Sequence, residues 1–132
     1  MNAFTKIEVP PVEGAIRNPN NPHHFMVLKP VKGTVSIFRR EDLLARTTNA
    51  LRVMEIGKTV YDPVLYIPTK DVVIPLGKMD KNSHCPLKGQ ANYYEYEGEE
   101  IAWSYTEPFD FADGLADHFA FWASKVWIEE GE

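Results

Sequence analysis

The chain is poor in cysteine and contains no long apolar run. Its single cysteine excludes an internal disulfide and a structural zinc site built from several cysteines. No stretch approaches the roughly 18 apolar residues of a membrane span, so we predict none. The N-terminal residues lack the apolar region of a secretory signal, and we therefore expect a cytoplasmic protein.

Sequence motifs for nucleotide phosphates and for metals are also absent. There is neither a Walker-type loop nor a GxGxxG sequence. The 4 histidines show no HxxxH or HExxH spacing, and His23 and His24 are direct neighbours. A metal site would need folding to add Glu55, Asp71 or Asp80, and hydrogen-bonded or solvent-facing histidines are the simpler interpretation. We therefore expect no metal and no cofactor.

The residues that are present are typical of one globular domain. Hydrophobic residues make up 44% of the 132 positions and charged residues 25%. The 7 Phe, 6 Tyr and 3 Trp residues exclude intrinsic disorder of the whole chain. Such a chain can bury a core of its own.

Charge is distributed unevenly along the chain, whose formal net charge is −5. Residues 1–94 hold 13 Lys and Arg against 8 Asp and Glu, whereas residues 95–132 hold 1 Lys against 11 Asp and Glu. The basic residues are scattered singly apart from Arg39 and Arg40, so we do not expect nucleic-acid binding. Either the two halves pack together and neutralise each other, or the acidic C-terminal third contacts a basic partner.

Proline and asparagine dominate residues 1–22, which we interpret as an extended N-terminal arm. Residues 23–132 then form a single β domain. Apolar and β-branched runs predict strands at residues 23–29, 33–38, 61–67 and 71–76, with prolines that favour short edge or bent strands. The best hairpin joins residues 90–96 to 100–105 around Glu97 and Gly98. Residues 43–56 fit either two strands or one amphipathic helix.

Near-helical spacing of apolar residues predicts one short C-terminal helix within residues 111–124, although residues 119–122 could instead form a strand. The predicted fold is therefore mainly β. It is a compact antiparallel domain that closes as a small barrel or as two sheets.

The densest group of chemically active side chains lies at residues 83–89, which we place in a loop. Cys85 could act as a nucleophile, since nearby His84 and Lys88 could lower the pKa of its thiol, or it could be a semi-buried thiol. Adjacent side chains diverge, so the base would be His23, His24 or His118 brought close by folding. Lys88 could bind a phosphate or carboxylate as a point charge. Asp71 could take part in proton transfer with Lys88, or form a carboxylate pair with Asp62 or Glu55, but capping a turn is its simpler role.

Four aromatic residues could line a pocket or complete the core: Tyr66, Tyr93, Trp103 and Tyr105. If they line a pocket, the ligand-binding residues would be Tyr66, His84, Lys88, Trp103 and Tyr105.

Three motifs in order carry a resemblance to a known family: VLYIPTKDV at residues 64–72, HCPLKGQANY at 84–93 and IAWSYTEP at 101–108. With FAFW at 119–122, they resemble the bacterial and fungal proteins of domain of unknown function 427, sometimes labelled nucleotidyltransferase-like. The resemblance spans about residues 23–127 and departs at Leu87, where the family usually has an aromatic residue. It implies a compact, tent-like β fold and no established reaction. Tent-like β domains often hold zinc with several cysteines. This chain has a single cysteine, so the resemblance does not imply a zinc site.

Three functions remain open from the sequence. The first is a binding module that holds a small anionic molecule near Lys88 and Trp103. The second is an enzyme that uses Cys85, or Lys88 with Asp71. The third is an interaction protein that uses the acidic C-terminal third. A homodimer is also left open.

Overall fold

A computed structural model describes residues 10–131; residues 1–9 of the predicted N-terminal arm and residue 132 lie outside the described part. The mainly β prediction is confirmed, with 61% of residues in strands and 7% helical. Within residues 10–131 the strands are β1 (Ile16–Asn18), β2 (Asn21–Pro30), β3 (Thr34–Arg39), β4 (Asp42–Thr47), β5 (Leu51–Ile56), β6 (Val64–Pro68), β7 (Gly77–Cys85), β8 (Gly89–Tyr96), β9 (Glu99–Pro108), β10 (His118–Phe121) and β11 (Trp127–Gly131).

The strands form two antiparallel sheets. The large sheet has the order β1-β2-β5-β6-β10-β9-β8-β7, and the small sheet has the order β11-β3-β4. Both sheets are open, so the two-sheet alternative is correct and the barrel is not. In the part of the chain that the structure describes, no helix is long and apolar enough to cross a membrane.

The large sheet packs apolar side chains on both of its faces because successive residues of a strand point to opposite sides. In β6, Ile67 joins the core against the small sheet, where Ile37 and Leu44 are buried. Its neighbour Tyr66 joins a second core on the opposite face, with Leu115. Strand β6 therefore links the interior of the domain to the face that carries the candidate site.

The uneven charges of the sequence meet across the fold. Arg39 pairs with Glu99 at 2.5 Å, and Lys81 pairs with Glu100 at 2.7 Å. A third ion pair joins Arg52 on β5 to Glu130 on β11. Basic residues of the first 94 positions thus partly neutralise the acidic C-terminal third.

The hairpin β8–β9 confirms the strongest local prediction. Tyr96 pairs with Glu99, and Glu97 and Gly98 form the turn with positive φ values of 51° and 80°. Two such residues are the signature of a tight turn that matches the twist of its strands. This hairpin sets Tyr93 directly opposite Trp103.

Residues 43–56, which the sequence left open, form the two strands β4 and β5. The chain crosses between them from the small sheet to the large one. Thr47 and Asn49 sit at this crossing, where the backbone N–H of Asn49 donates to the Thr47 hydroxyl at 2.9 Å. Such local bonds compete with helix formation and explain the outcome.

Four local predictions are wrong. Residues 71–76 contribute only an isolated bridge at Val72, after the short 3-10 helix Thr69–Asp71. Residues 83–85 belong to strand β7, so only the three residues 86–88 form the loop. The predicted helix at 111–124 reduces to the 3-10 helix Asp110–Leu115, and the strand alternative is realised as β10. Strand β6 is short but central in the sheet, because Pro68 comes at its end and removes no interior donor.

Candidate ligand-binding site

A tight hairpin loop places Lys88 at the site. Cys85 pairs with Gly89 across the loop, and Gly89 has a φ of +114°. A Cβ at Gly89 would lie 2.5 Å from the carbonyl oxygen of Glu107, so the close approach of the two backbones requires glycine. The N–H of Phe109 donates to the Lys88 carbonyl at 3.0 Å and ties the loop to the end of β9.

Lys88 is a buried cation, with 6% of its surface exposed. Its ammonium group donates to Oε1 of Glu55, which comes from β5. The Lys88 Nζ atom also lies 5.9 Å from the ring centroid of Tyr105. A buried lysine needs such a partner because an isolated charge is costly away from water. The pair Lys88–Glu55 is electrically neutral.

The second oxygen of Glu55 continues the polar contacts toward β1. Oε2 of Glu55 lies 2.7 Å from Nε2 of His24, and Nδ1 of His24 lies 3.3 Å from Nδ2 of Asn18. The side-chain oxygen of Asn18 accepts the N–H of Asn20 at 2.9 Å, which fixes the orientation of the amide.

The orientation of the Asn18 amide determines which ring nitrogen of His24 carries a hydrogen. Since Nδ2 of Asn18 can only donate, Nδ1 of His24 accepts, and Nε2 carries the hydrogen that it donates to Glu55. The polar chain therefore runs from Asn18 through His24 to Glu55, where the Lys88 ammonium donates from the other side.

The pKa of Glu55 reflects these contacts. Burial by itself would raise the pKa of this carboxyl group, but the hydrogen bonds from Lys88 and His24 and the charge of Lys88 outweigh burial and hold the pKa below the ordinary value of 4.5. Glu55 is therefore ionised when Lys88 is charged, and the pair is a fixed feature of the site at neutral pH.

Next to this pair lies a cavity of about 240 Å³, which we call the Lys88 cavity. Its lining consists of Val53, Glu55, Tyr61, Asp62, Val64, Tyr66, Lys88, Tyr93, Trp103, Tyr105 and Trp122. Four aromatic residues were predicted from the sequence to line a pocket or complete the core. All four line this cavity, and Trp122 lines it with them. Their role in binding a ligand remains a prediction.

The aromatic side chains hold one another in place. The rings of Tyr66 and Trp103 meet edge to face with centroids 6.5 Å apart, and the Trp103 indole N–H donates to the Tyr66 hydroxyl at 3.3 Å. Trp122 lies 4.4 Å from Trp103 between ring centroids. Burial raises the pKa of both Tyr66 and Tyr105 above the ordinary value, so both hydroxyls stay protonated.

Three other predicted site residues lie outside the cavity lining. Asp71 accepts the Thr47 hydroxyl at 2.6 Å, beside the small sheet. The ring of His84 is exposed and meets Phe109 edge to face. Cys85 is half-buried and packs against the core that contains Tyr66. The structure therefore brings Lys88, Tyr66, Trp103 and Tyr105 together around the cavity. Cys85 packs beside these aromatic residues without lining the cavity, and Asp71 and His84 lie outside its lining.

The sequence offered Glu55 together with the histidines only as parts of a metal site, and it did not indicate Trp122 or Asn18 as site residues. Glu55 and Lys88 are 33 positions apart, and no local spacing joins them. The one available signal was an acidic residue in an apolar strand, since Glu55 lies between Met54 and Ile56 on β5. Within residues 10–131, no three His, Cys, Asp or Glu side chains come together as metal ligands.

The two open sheets and the aromatic cavity define a small antiparallel β domain with a buried lysine beside the cavity. The chain belongs to the family described as Domain of unknown function (DUF427), NTP_transf_9, whose sequence profile matches residues 27–131. The resemblance carried by the three sequence motifs is confirmed. A search of curated proteins found no match.

Proposed function

We propose that this domain binds a small organic anion in the Lys88 cavity. The observation that carries the proposal is the hydrogen bonding of Lys88. An ammonium group has three N–H donors, and among the residues that the structure describes only Glu55 accepts one of them. The remaining donors are available to a carboxylate or phosphate oxygen of a ligand.

The hydrogen bonds of Glu55 allow an anionic ligand to bind beside the Lys88–Glu55 pair, although the pair is already neutral. His24 donates to one oxygen of Glu55, so this carboxylate keeps a partner when Lys88 turns part of its charge toward a ligand. The ligand oxygen would then share the ammonium group with Glu55. Charge-assisted hydrogen bonds of this kind are stronger than neutral ones.

The other walls favour a planar body on the ligand. Tyr66, Tyr93, Trp103, Tyr105 and Trp122 present aromatic surface to the cavity. Apolar walls with a few convergent polar groups are the usual composition of small-molecule sites. A ligand with a flat ring could pack against the aromatic side chains and place its acid group at Lys88.

Benzoate is the simplest probe with these properties, and calorimetric titration measures its binding. We expect Lys88→Met to weaken benzoate binding about ten-fold or more, since a hydrogen bond to a charged group is lost. Lys78→Met is the matched control, because Lys78 is exposed on β7 and does not line the cavity. Neutral benzamide is expected to bind more weakly than benzoate to the wild-type chain.

The indole N–H signals in an NMR spectrum report where benzoate binds. Trp103 and Trp122 line the cavity, whereas Trp127 is 67% exposed on β11 and does not. We expect benzoate to shift the first two signals and leave the third unchanged. Absence of binding, or equal affinity of the wild-type chain and a folded Lys88→Met variant, would contradict the proposal.

The enzyme alternative has less support from the geometry. Cys85 does not line the cavity, and His24, one of the bases that could have served it, is hydrogen-bonded to Glu55 instead. The cytoplasmic location, the homodimer and the interaction role of the acidic third remain predictions from the sequence.

A further inference from the structure

A second cavity of about 410 Å³ adjoins the Lys88 cavity, and we call it the inter-sheet cavity. The two share four lining residues: Asp62, Val64, Trp103 and Trp122. The inter-sheet cavity extends from this common wall into the space between the large and the small sheet. The two cavities are therefore adjacent, and the two indole rings lie at the wall between them.

The lining of the inter-sheet cavity differs from that of the Lys88 cavity. Leu65 and Phe121 come from the large sheet, and Ile37 and Ile128 come from the small one. These four side chains make the inner part apolar.

Three charged residues line the inter-sheet cavity. Arg52 and Glu130, from opposite sheets, neutralise each other, and Asp62 lies at the wall that is shared with the Lys88 cavity. Arg52 of β5 forms two hydrogen bonds with the carboxylate of Glu130 of β11. The inter-sheet cavity thus suits an uncharged group better than a second anionic one.

We propose that the inter-sheet cavity receives an apolar tail of the same ligand whose acid group lies at Lys88. This inference rests on the proposed function and narrows the ligand to an elongated amphipathic acid. The ring lies between the aromatic walls, and an alkyl or similar chain continues past Trp103 and Trp122 between the sheets.

A larger apolar groove of about 720 Å³ also borders the site, on the side of β2 and β5. It shares Glu55 and Tyr61 with the Lys88 cavity. The inter-sheet cavity shares four lining residues with the Lys88 cavity, including both indole rings, whereas the groove shares only two. The tail is therefore assigned to the inter-sheet cavity.

The test uses 4-alkylbenzoates with tails from methyl to pentyl, titrated calorimetrically into the full chain. Each added carbon that enters an apolar cavity is expected to lower Kd about four-fold. Ala123→Trp is designed to fill the inter-sheet cavity, because Ala123 lines it, is exposed and does not line the Lys88 cavity. Ser124→Trp is the matched control at a neighbouring exposed position that lines neither cavity.

We expect Ala123→Trp to bind benzoate like the wild-type chain but to lose the gain from longer tails, while Ser124→Trp keeps it. The inference is overturned if benzoate binds and the alkyl tail adds nothing in the wild-type chain. It is also overturned if the gain survives in a folded Ala123→Trp variant and disappears in Met54→Trp, since Met54 lines the groove instead. Failure of benzoate itself to bind would refute the proposed function, a result distinct from the loss of the tail effect alone.

Discussion

Removing one partner of the Lys88–Glu55 pair is expected to destabilise the fold in proportion to the burial of the pair. The side chains of Lys88 and Glu55 are 7% and 16% exposed. Loss of one member of a buried ion pair costs about 3–5 kcal/mol, because the remaining charge is left without its counterion. Glu55→Gln keeps an acceptor oxygen for the ammonium group, so we expect about 3 kcal/mol.

Lys88→Met is expected to cost less than Glu55→Gln. It leaves the Glu55 carboxylate with the hydrogen bond from His24, so the remaining charge still has a donor. We expect about 2 kcal/mol for this change, within the range for a lost charged hydrogen bond. In the double variant neither charge is left, and the two costs should overlap by about 1–3 kcal/mol.

Urea unfolding of the wild-type chain, both single variants and the double variant measures this coupling. Thermal unfolding offers a second readout, where about 3 kcal/mol corresponds to a fall in Tm of roughly 10 °C. The control cycle uses Arg52→Met and Glu130→Gln, because these two side chains are 31% and 44% exposed. Exposed pairs of this kind contribute about 1 kcal/mol or less. A coupling between Lys88 and Glu55 no larger than that of the control pair would refute the reasoning.

Three further predictions follow from the site. The pKa of Glu55 is held below 4.5 despite its burial, so the stabilising contribution of Glu55 is present above pH 4.5 and is lost as pH falls through its lowered pKa. In urea unfolding, the free energy of unfolding should therefore fall more steeply with acid in the wild-type chain than in Glu55→Gln. Burial raises the pKa of Tyr66 and Tyr105, so their stabilising effect is lost only as pH rises above 10; ultraviolet titration should find both un-ionised until the chain unfolds, and early ionisation of all tyrosines would contradict this. Gly89→Ala should cost about 3 kcal/mol or more, because its Cβ would meet the Glu107 backbone. Gly98→Ala, which has positive φ but open space, should cost only about 1 kcal/mol in the same unfolding assay.

Local sequence signals predicted the hairpin β8–β9 well, since Glu97 and Gly98 specify its turn within two residues. Strand β7 escaped prediction because it lies at the edge of the large sheet and carries mostly exposed polar side chains, including Lys78 and Asp80. Without alternating burial, such a strand leaves no period-two pattern to find. Strand β10 presents the opposite difficulty, because the short apolar run at residues 119–122 fits a helix as well as a strand.

The sequence could predict those members of the candidate site whose residue type and immediate neighbours already indicate a role. Lys88 stood out beside a glycine, and the tyrosines and Trp103 stood out as amphipathic aromatics. Their grouping around Glu55 depends on pairing between strands that are distant in sequence: His24 and Glu55 are 31 positions apart. Trp122 was hidden because the sequence placed it within a predicted helix.

The polar chain from Asn18 to Lys88 extends beyond the residues that the family profile matches. The family profile begins at residue 27, whereas Asn18 and His24 lie upstream of it on β1 and β2. A chain trimmed to the matched residues would retain Lys88, Glu55 and every cavity-lining residue, yet it would lack the donor that steadies Glu55. A comparison of relatives that is restricted to the shared profile would therefore leave out the contact that orients the Glu55 carboxylate.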